Sequence, residues 1–226
     1  MQASRSDTSA IGEPPRPEAP SGEADTVALM APEFETLVRE AEIAHGHLCA
    51  GQILGVRMAM LGLARLDIQD PRGADRKRLV TFVEIDRCAT DAIAVVTGCR
   101  LGKRALKFRD WGKMAATFVD LSTNQAIRIA ALESSKTRAR ELYPEILDKN
   151  AQQMHAYRSM PDEELFTEER VVVPIDAREL PGYKSARIVC EVCQEGINYD
   201  REIVRDGKIL CQGCADIEGR YYQPIV

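Results

Sequence analysis

HGHLCAGQILGVRMAMLGLARL, residues 45–66, is the stretch from which the rest of the chain can be read. His45, His47 and Cys49 fall within its first five residues, in a chain with only 3 histidines and 7 cysteines. Behind them Leu48, Ile53, Leu54, Val56, Met58, Ala59, Met60, Leu61, Leu63, Ala64 and Leu66 are broken only by glycines, Gln52, Arg57 and Arg65. That pattern predicts a helix buried on most of its surface. Gly51 and Gly55, one turn apart, each weaken an isolated helix by about 1 kcal/mol relative to alanine, so their compensation should be close approach of another backbone. Met58 and Met60 read as core filling. In one uninterrupted helix His45 and Cys49 would share a face while His47 pointed nearly opposite. A turn at Gly46, with the helix starting near His47, removes the difficulty and sets Cys49 in the first turn, where the positive helix end favours a thiolate.

Upstream, Phe34, Leu37, Val38, Ala41 and Ile43 or Ala44 recur at helical spacing after Pro32, which suits a first turn. Residues 1–31 hold Pro14, Pro15, Pro17 and Pro20 among small and acidic residues and read as a flexible tail. Downstream, Asp70-Pro71-Arg72-Gly73 marks a loop, and residues 79–85, rich in β-branched and aromatic side chains, a strand. Residues 88–96 predict a short buried helix capped by Gly98, with Cys88 in its first turn and Asp91 one turn later on the same face. Strands are expected around 105–108 and 113–120, joined as a hairpin through Asp110-Trp111-Gly112. Helices should follow over 127–142 and 146–158, then an edge strand over 171–175 that tolerates Pro174. The order is that of an α+β domain, a mixed β-sheet flanked by helices, over residues 32–182. Leu180-Pro181-Gly182 marks its end.

Residues 183–226 carry Cys190-x2-Cys193 and Cys211-x2-Cys214. Two such loops turn four thiolates toward one ion, the pattern of tetrahedral zinc. Asp206-Gly207 between apolar residues predicts a hairpin with a primed turn, and a short helix after Cys211 completes a treble-clef finger. Four sulfurs close the coordination sphere, so this zinc should be structural.

A net charge of −5 argues against nucleic acid as partner, and the absence of a long apolar run argues against a membrane span. An odd number of cysteines, four of them in paired loops, fits a reducing, cytoplasmic setting with metal binding better than a disulfide framework. His45, His47 and Cys49 are candidate ligands of a core metal, zinc or another transition metal, with His47 and Cys49 as candidate catalytic groups. Equally, the histidines could serve as caps and Cys49 as a small hydrophobe.

The segments HGHLCAGQILGVRM, VEIDRCATDAIAVVTGCRLGKRALKFRDWGKMAATF and the terminal CEVC and CQGC pairs resemble the FmdE family of formylmethanofuran dehydrogenase proteins. The resemblance runs from about residue 36 to the end. It implies an α+β core with an auxiliary zinc finger, a homodimer, and a common cleft approached by His45, His47, Cys49, Cys88, Asp91, Cys99, Lys103 and Lys113. The chain departs from the family pattern at Ala50, usually proline, and Arg100, usually threonine. Neither departure removes a ligand. The family name points to molybdenum or tungsten oxidoreductases of one-carbon metabolism, yet the chain lacks the cysteine pattern of an iron–sulfur subunit. The leading expectation is therefore a metal-binding accessory protein of such an enzyme. The alternatives are a free-standing metal- or cysteine-dependent enzyme using the same cleft, and a scaffold or regulatory dimer.

Overall fold

The computed structural model describes residues 32–223 and residue 225; the tail expected over 1–31 lies outside the described residues. Two helices open the core, α1 (Pro32–His45) and α2 (Ala50–Arg65). Phe34, Leu37, Val38 and Ala41 bury the inner face of α1. Ile43 and Ala44, expected to continue that face, are exposed instead, because the helix is ending and turning away.

Strand β1 (Leu79–Val83) is followed by α3 (Cys88–Thr97), which stops at Gly98 with φ +67, the left-handed cap expected from its glycine. Then come β2 (Leu106–Phe108), β3 (Ala115–Asp120) and β4 (Gln125–Ala131), the helices α4 (Ser134–Leu142), α5 (Lys149–Ser159) and α6 (Asp162–Leu165), and β5 (Phe166–Val171). The sheet order is β2-β1-β3-β4-β5, with β1 and β2 parallel and every other pair antiparallel.

Three local expectations give way to this topology. The hairpin expected between residues 105–108 and 113–120 does not form: β1 lies between the two strands and pairs with both. The intervening loop instead wraps the end of β1, with Arg109 N donating to Val83 O and the amides of Trp111 and Lys113 donating to Glu84 O. Residues 127–131, expected as helix, are in β4, where Ile127 and Ile129 point to the core and Arg128 to the opposite face. Thus the real hairpin is β3–β4, through the turn at Asn124 (φ +57). The last strand lies at 166–171 rather than 171–175; it is an edge as expected, but ends before Pro174.

Helix α2 is the hub. Gly62 lies against the Phe118 ring of β3, and Gly55 against Ala89 of α3, so near that a β-carbon on Gly55 would come 2.5 Å from Ala89 O. The glycines that weaken α2 locally therefore let it pack against sheet and helix at once. Arg57, 4% exposed, crosses to α5 and α6, where it donates to the Tyr157 and Met160 carbonyls and pairs with Asp162. Burial raises the Asp162 carboxyl, with the Arg57 charge opposing it. Met58 is fully buried and Met60 packs on the core edge, as core filling requires.

The C-terminal residues form a second, separate apolar cluster of Cys190, Ile197, Leu210, Cys214 and Ala215. It is built by two hairpins, β6 (Ile188–Val189) with β7 (Gly196–Ile197) and β8 (Ile203–Arg205) with β9 (Lys208–Leu210), and by the short α7 (Gln212–Ala215). Asp206 (φ +51) and Gly207 (φ +75) make the β8–β9 turn with positive φ at both central residues, as a primed turn demands. Knuckle, hairpin and helix follow in treble-clef order. Among all described residues no helix is long and apolar enough to cross a membrane.

Candidate metal centres

In the core, α1 ends at His45 and the chain bends at Gly46, whose φ of +96 suits glycine. Helix α2 then begins at Ala50, one residue beyond Cys49, so Cys49 is the N-cap rather than a first-turn residue. Its backbone carbonyl accepts from Gln52 N at 3.0 Å, but its side chain makes no capping bond. Serine, threonine, aspartate and asparagine are the usual residues here. A thiol at this position is left for another use.

The partner of this turn is the N-terminus of α3. Gly51 sits under Cys88, where an added β-carbon would lie 3.1 Å from Cys88 Cβ, and Gln52 Nε2 donates to Cys88 O at 2.6 Å. Gln52 is fully buried, so this bond fixes the register of α2 on α3. Ala50 N donates to Asn150 Oδ1 at 2.9 Å, which closes the α2 N-terminus from α5. As a result one ligand atom each of His45, Cys49 and Cys88 lies within 4.8 Å of the others. Asp91 Oδ2 meets His45 Nδ1 at 2.8 Å. A proton on Nδ1, shared with the carboxylate, leaves Nε2 as the ring's available ligand atom.

Both thiols stand at helix N-termini, where the backbone favours negative charge. Burial nevertheless pushes the Cys88 thiol up, as does its neighbour Cys49. Two adjacent thiols do not both ionise readily without a cation between them. A His/Cys/Cys donor set fits a zinc-type ion with three protein ligands and one position open.

Of the other expected residues, His47 is exposed with its ring centroid 4.7 Å from that of His45. Cys99 lies apart, buried against the sheet with Thr81 Oγ1 donating to its sulfur at 3.5 Å; burial raises its thiol. Lys103 is exposed on the 3-10 turn Leu101–Lys103, and Lys113 is exposed with its ammonium 5.7 Å from the Trp111 ring centroid. Gln52 and Asn150 escaped sequence reasoning. Gln52 reads there as a polar break in an apolar helix, and Asn150 is 100 residues from the amide it caps.

At the C-terminus the sulfurs of Cys190, Cys193, Cys211 and Cys214 all lie within 4.8 Å of one another, Cys193 and Cys211 at 3.9 Å. A tetrahedral ion with bonds of about 2.3 Å needs sulfurs about 3.8 Å apart, so this cluster could bind a metal such as zinc. Backbone amides of Cys193 and Cys211 hold the Cys190 thiol down to about 6, while burial and the other three sulfurs push Cys214 up to about 12. Arg220 Nη2 donates to Cys214 Sγ at 3.0 Å, setting a cation beside a cluster that gains negative charge as its thiols ionise.

Fold and sites together define an α+β protein with an open His/Cys cluster in its core and a four-cysteine module beside it. The chain belongs to the FmdE family: the family model, described as FmdE, molybdenum formylmethanofuran dehydrogenase operon, matches residues 44–167. A curated relative from Archaeoglobus fulgidus, named a probable S-adenosyl-L-methionine-binding protein, is 29% identical over 206 residues, covering 82% of this chain. The match spans only 53% of that relative, so this chain corresponds to about half of it. A crystal structure of an FmdE-like protein of tungsten formylmethanofuran dehydrogenase from Syntrophus aciditrophicus superposes with a TM-score of 0.56 at 17% identity, covering 83% of this chain and 94% of the other. That likeness establishes the shared fold.

Proposed function

We propose that this protein is a metal-binding accessory protein of a molybdenum- or tungsten-dependent oxidoreductase of one-carbon metabolism. In this reading His45, Cys49 and Cys88 hold a zinc-type ion in the core, and Cys190, Cys193, Cys211 and Cys214 hold a structural zinc. The observation that carries it is the convergence of three ligand atoms from two helix starts and one helix end, with Asp91 orienting the histidine. Such convergence requires three separate elements to agree, which core packing alone does not demand.

A site with three protein ligands keeps a position for an incoming group, whereas four sulfurs leave none. The core site is therefore the working one. His47, exposed beside His45, is placed to serve as a fourth ligand or to move a proton there. We take residues 32–182 as the working domain and 183–226 as the zinc module. The family's tie to a formylmethanofuran dehydrogenase operon supports the accessory role. Seven free cysteines support a cytoplasmic setting, and a homodimer is the assembly we expect.

Metal counting on purified protein tests this. The wild type should carry two ions per chain, and Cys49→Ser and His45→Ala one, retained by the finger. Asp91→Asn should keep the fold but weaken the core ion about 10- to 100-fold, the usual cost of losing an outer-shell partner. A wild type holding a single ion that none of the core variants disturbs would sink the proposal.

A further inference from the structure

Beside the core cluster, at the end of the α1–α3 seam, lies a cavity of about 350 Å³ whose lining includes Ala44, Val95 and Gly98. Four cations border it, Arg72, Arg76, Arg100 and Lys103, against one carboxylate, Glu40. Glu40 is already paired with Arg72. Arg76 commits one Nη to Gly73 O at 2.8 Å. The side chains of Arg100 and Lys103 have no hydrogen-bond or ion-pair partner among the described residues.

Cations near helix C-termini complement the helix dipole, and both α1 and α3 end here. That explains one cation per end but not four around one cavity. After the Arg72–Glu40 pair, about three positive charges face the space uncompensated. A single carboxylate would leave two of them unmatched, whereas a phosphate dianion with three oxygens suits two guanidinium forks and an ammonium. The volume is at the small end of the range for organic ligands, about 300–1,000 Å³, and excludes a polymer.

We infer that this cavity holds the phosphate group of a small organic phosphate, bound by Arg76, Arg100 and Lys103. The cavity also adjoins the metal site. Val95 is one turn beyond Asp91 on α3, about 6 Å along the axis, and Ala44 precedes His45. A ligand anchored here by its phosphate thus begins within a helical turn of the core cluster. The pairing of the two sites rests on the metal reading above; the phosphate site itself does not.

The test is calorimetric titration of the full chain with inorganic phosphate and pyrophosphate, carried out in the Cys49→Ser background so that phosphate cannot bind a core metal. One equivalent should saturate it. Arg100→Gln and Lys103→Gln, both exposed and without structural partners, should each weaken binding about tenfold, the size expected for one charged hydrogen bond. Lys136→Gln, on α4, should change nothing. The inference is overturned by no saturable binding, or by equal weakening in all three variants, which would reveal only non-specific charge. If phosphate binds as expected but Cys49→Ser protein keeps the wild-type metal count, the metal reading fails and the phosphate site stands.

Discussion

The two cysteine clusters of this protein solve the same problem by opposite routes. In residues 190–214 each pair of sulfurs comes from one short loop, and a single hairpin brings the loops together. At the core, the ligands come from the end of α1, the cap of α2 and the start of α3, and the orienting carboxylate is 46 residues from its histidine. The first arrangement is closed with four sulfurs; the second stops at three ligands. A locally built site is easy to specify and depends on its ion for stability. An assembled site depends on the packing of the whole core, and that packing can hold an incomplete coordination sphere open.

Breaking the local site should have the strongest consequence. Cys190→Ser or Cys214→Ser should release the finger's ion and, with it, much of the roughly 10 to 16 kcal/mol of apparent binding free energy that holds isolated fingers folded. Limited proteolysis should then cut within residues 183–226 while the thermal transition of the core stays put. If core and module melt together, the two regions are not the independent units that their separate apolar clusters imply.

A smaller effect should come from Gly55→Ala, which challenges the assembled site without touching a ligand. The new methyl meets the backbone of Ala89, which cannot rotate aside. Overpacking should cost about 1–3 kcal/mol despite about 1 kcal/mol gained in helix propensity. Denaturant unfolding measures the loss, and metal analysis should show the core ion weakened and the finger's ion kept.

The weakest effect is acidic. Burial opposes ionisation of Asp120, but hydrogen bonds from Arg78, Ser122 and Thr123 overcome it and hold the carboxyl well below the usual carboxylate range. Because the folded value is depressed, the unfolded chain takes up the proton first as pH falls. The stabilisation is therefore complete above about pH 4 and fades below it, and Arg78 is partly exposed, so it is worth on the order of 1 kcal/mol. Asp120→Asn should flatten the acid limb of core stability below about pH 4. Zinc loss from the thiolates, which also bind protons, should come at higher pH than this core transition.

The features that short-range physics controls were legible in the chain alone. The Cys-x2-Cys loops, the Asp206-Gly207 turn, the Gly98 cap and the break at Gly46 follow from allowed backbone angles and ligand reach. So does the burial of α2 from its apolar pattern. Asp91 and Cys88 were legible as neighbours of one helical face, and the resemblance to the FmdE family brought them toward His45. The rest was settled by packing between distant segments. Whether β3 pairs with β2 or β4 depends on β1 entering between them, and whether Ile127–Ala131 is strand or helix depends on the edge that β3 offers; neither edge is visible in a local window. The same holds for the core cluster: Cys49 became a cap with a free thiol, and met Cys88, only because Gly51 and Gly55 let α3 lie against α2. Cys99, Lys103 and Lys113, adjacent in chain to that helix or sheet, were carried elsewhere by the same packing. A ligand pair within one loop is set by chain geometry, whereas ligands on different helices are set by the free energy of burying their faces, which no single segment contains.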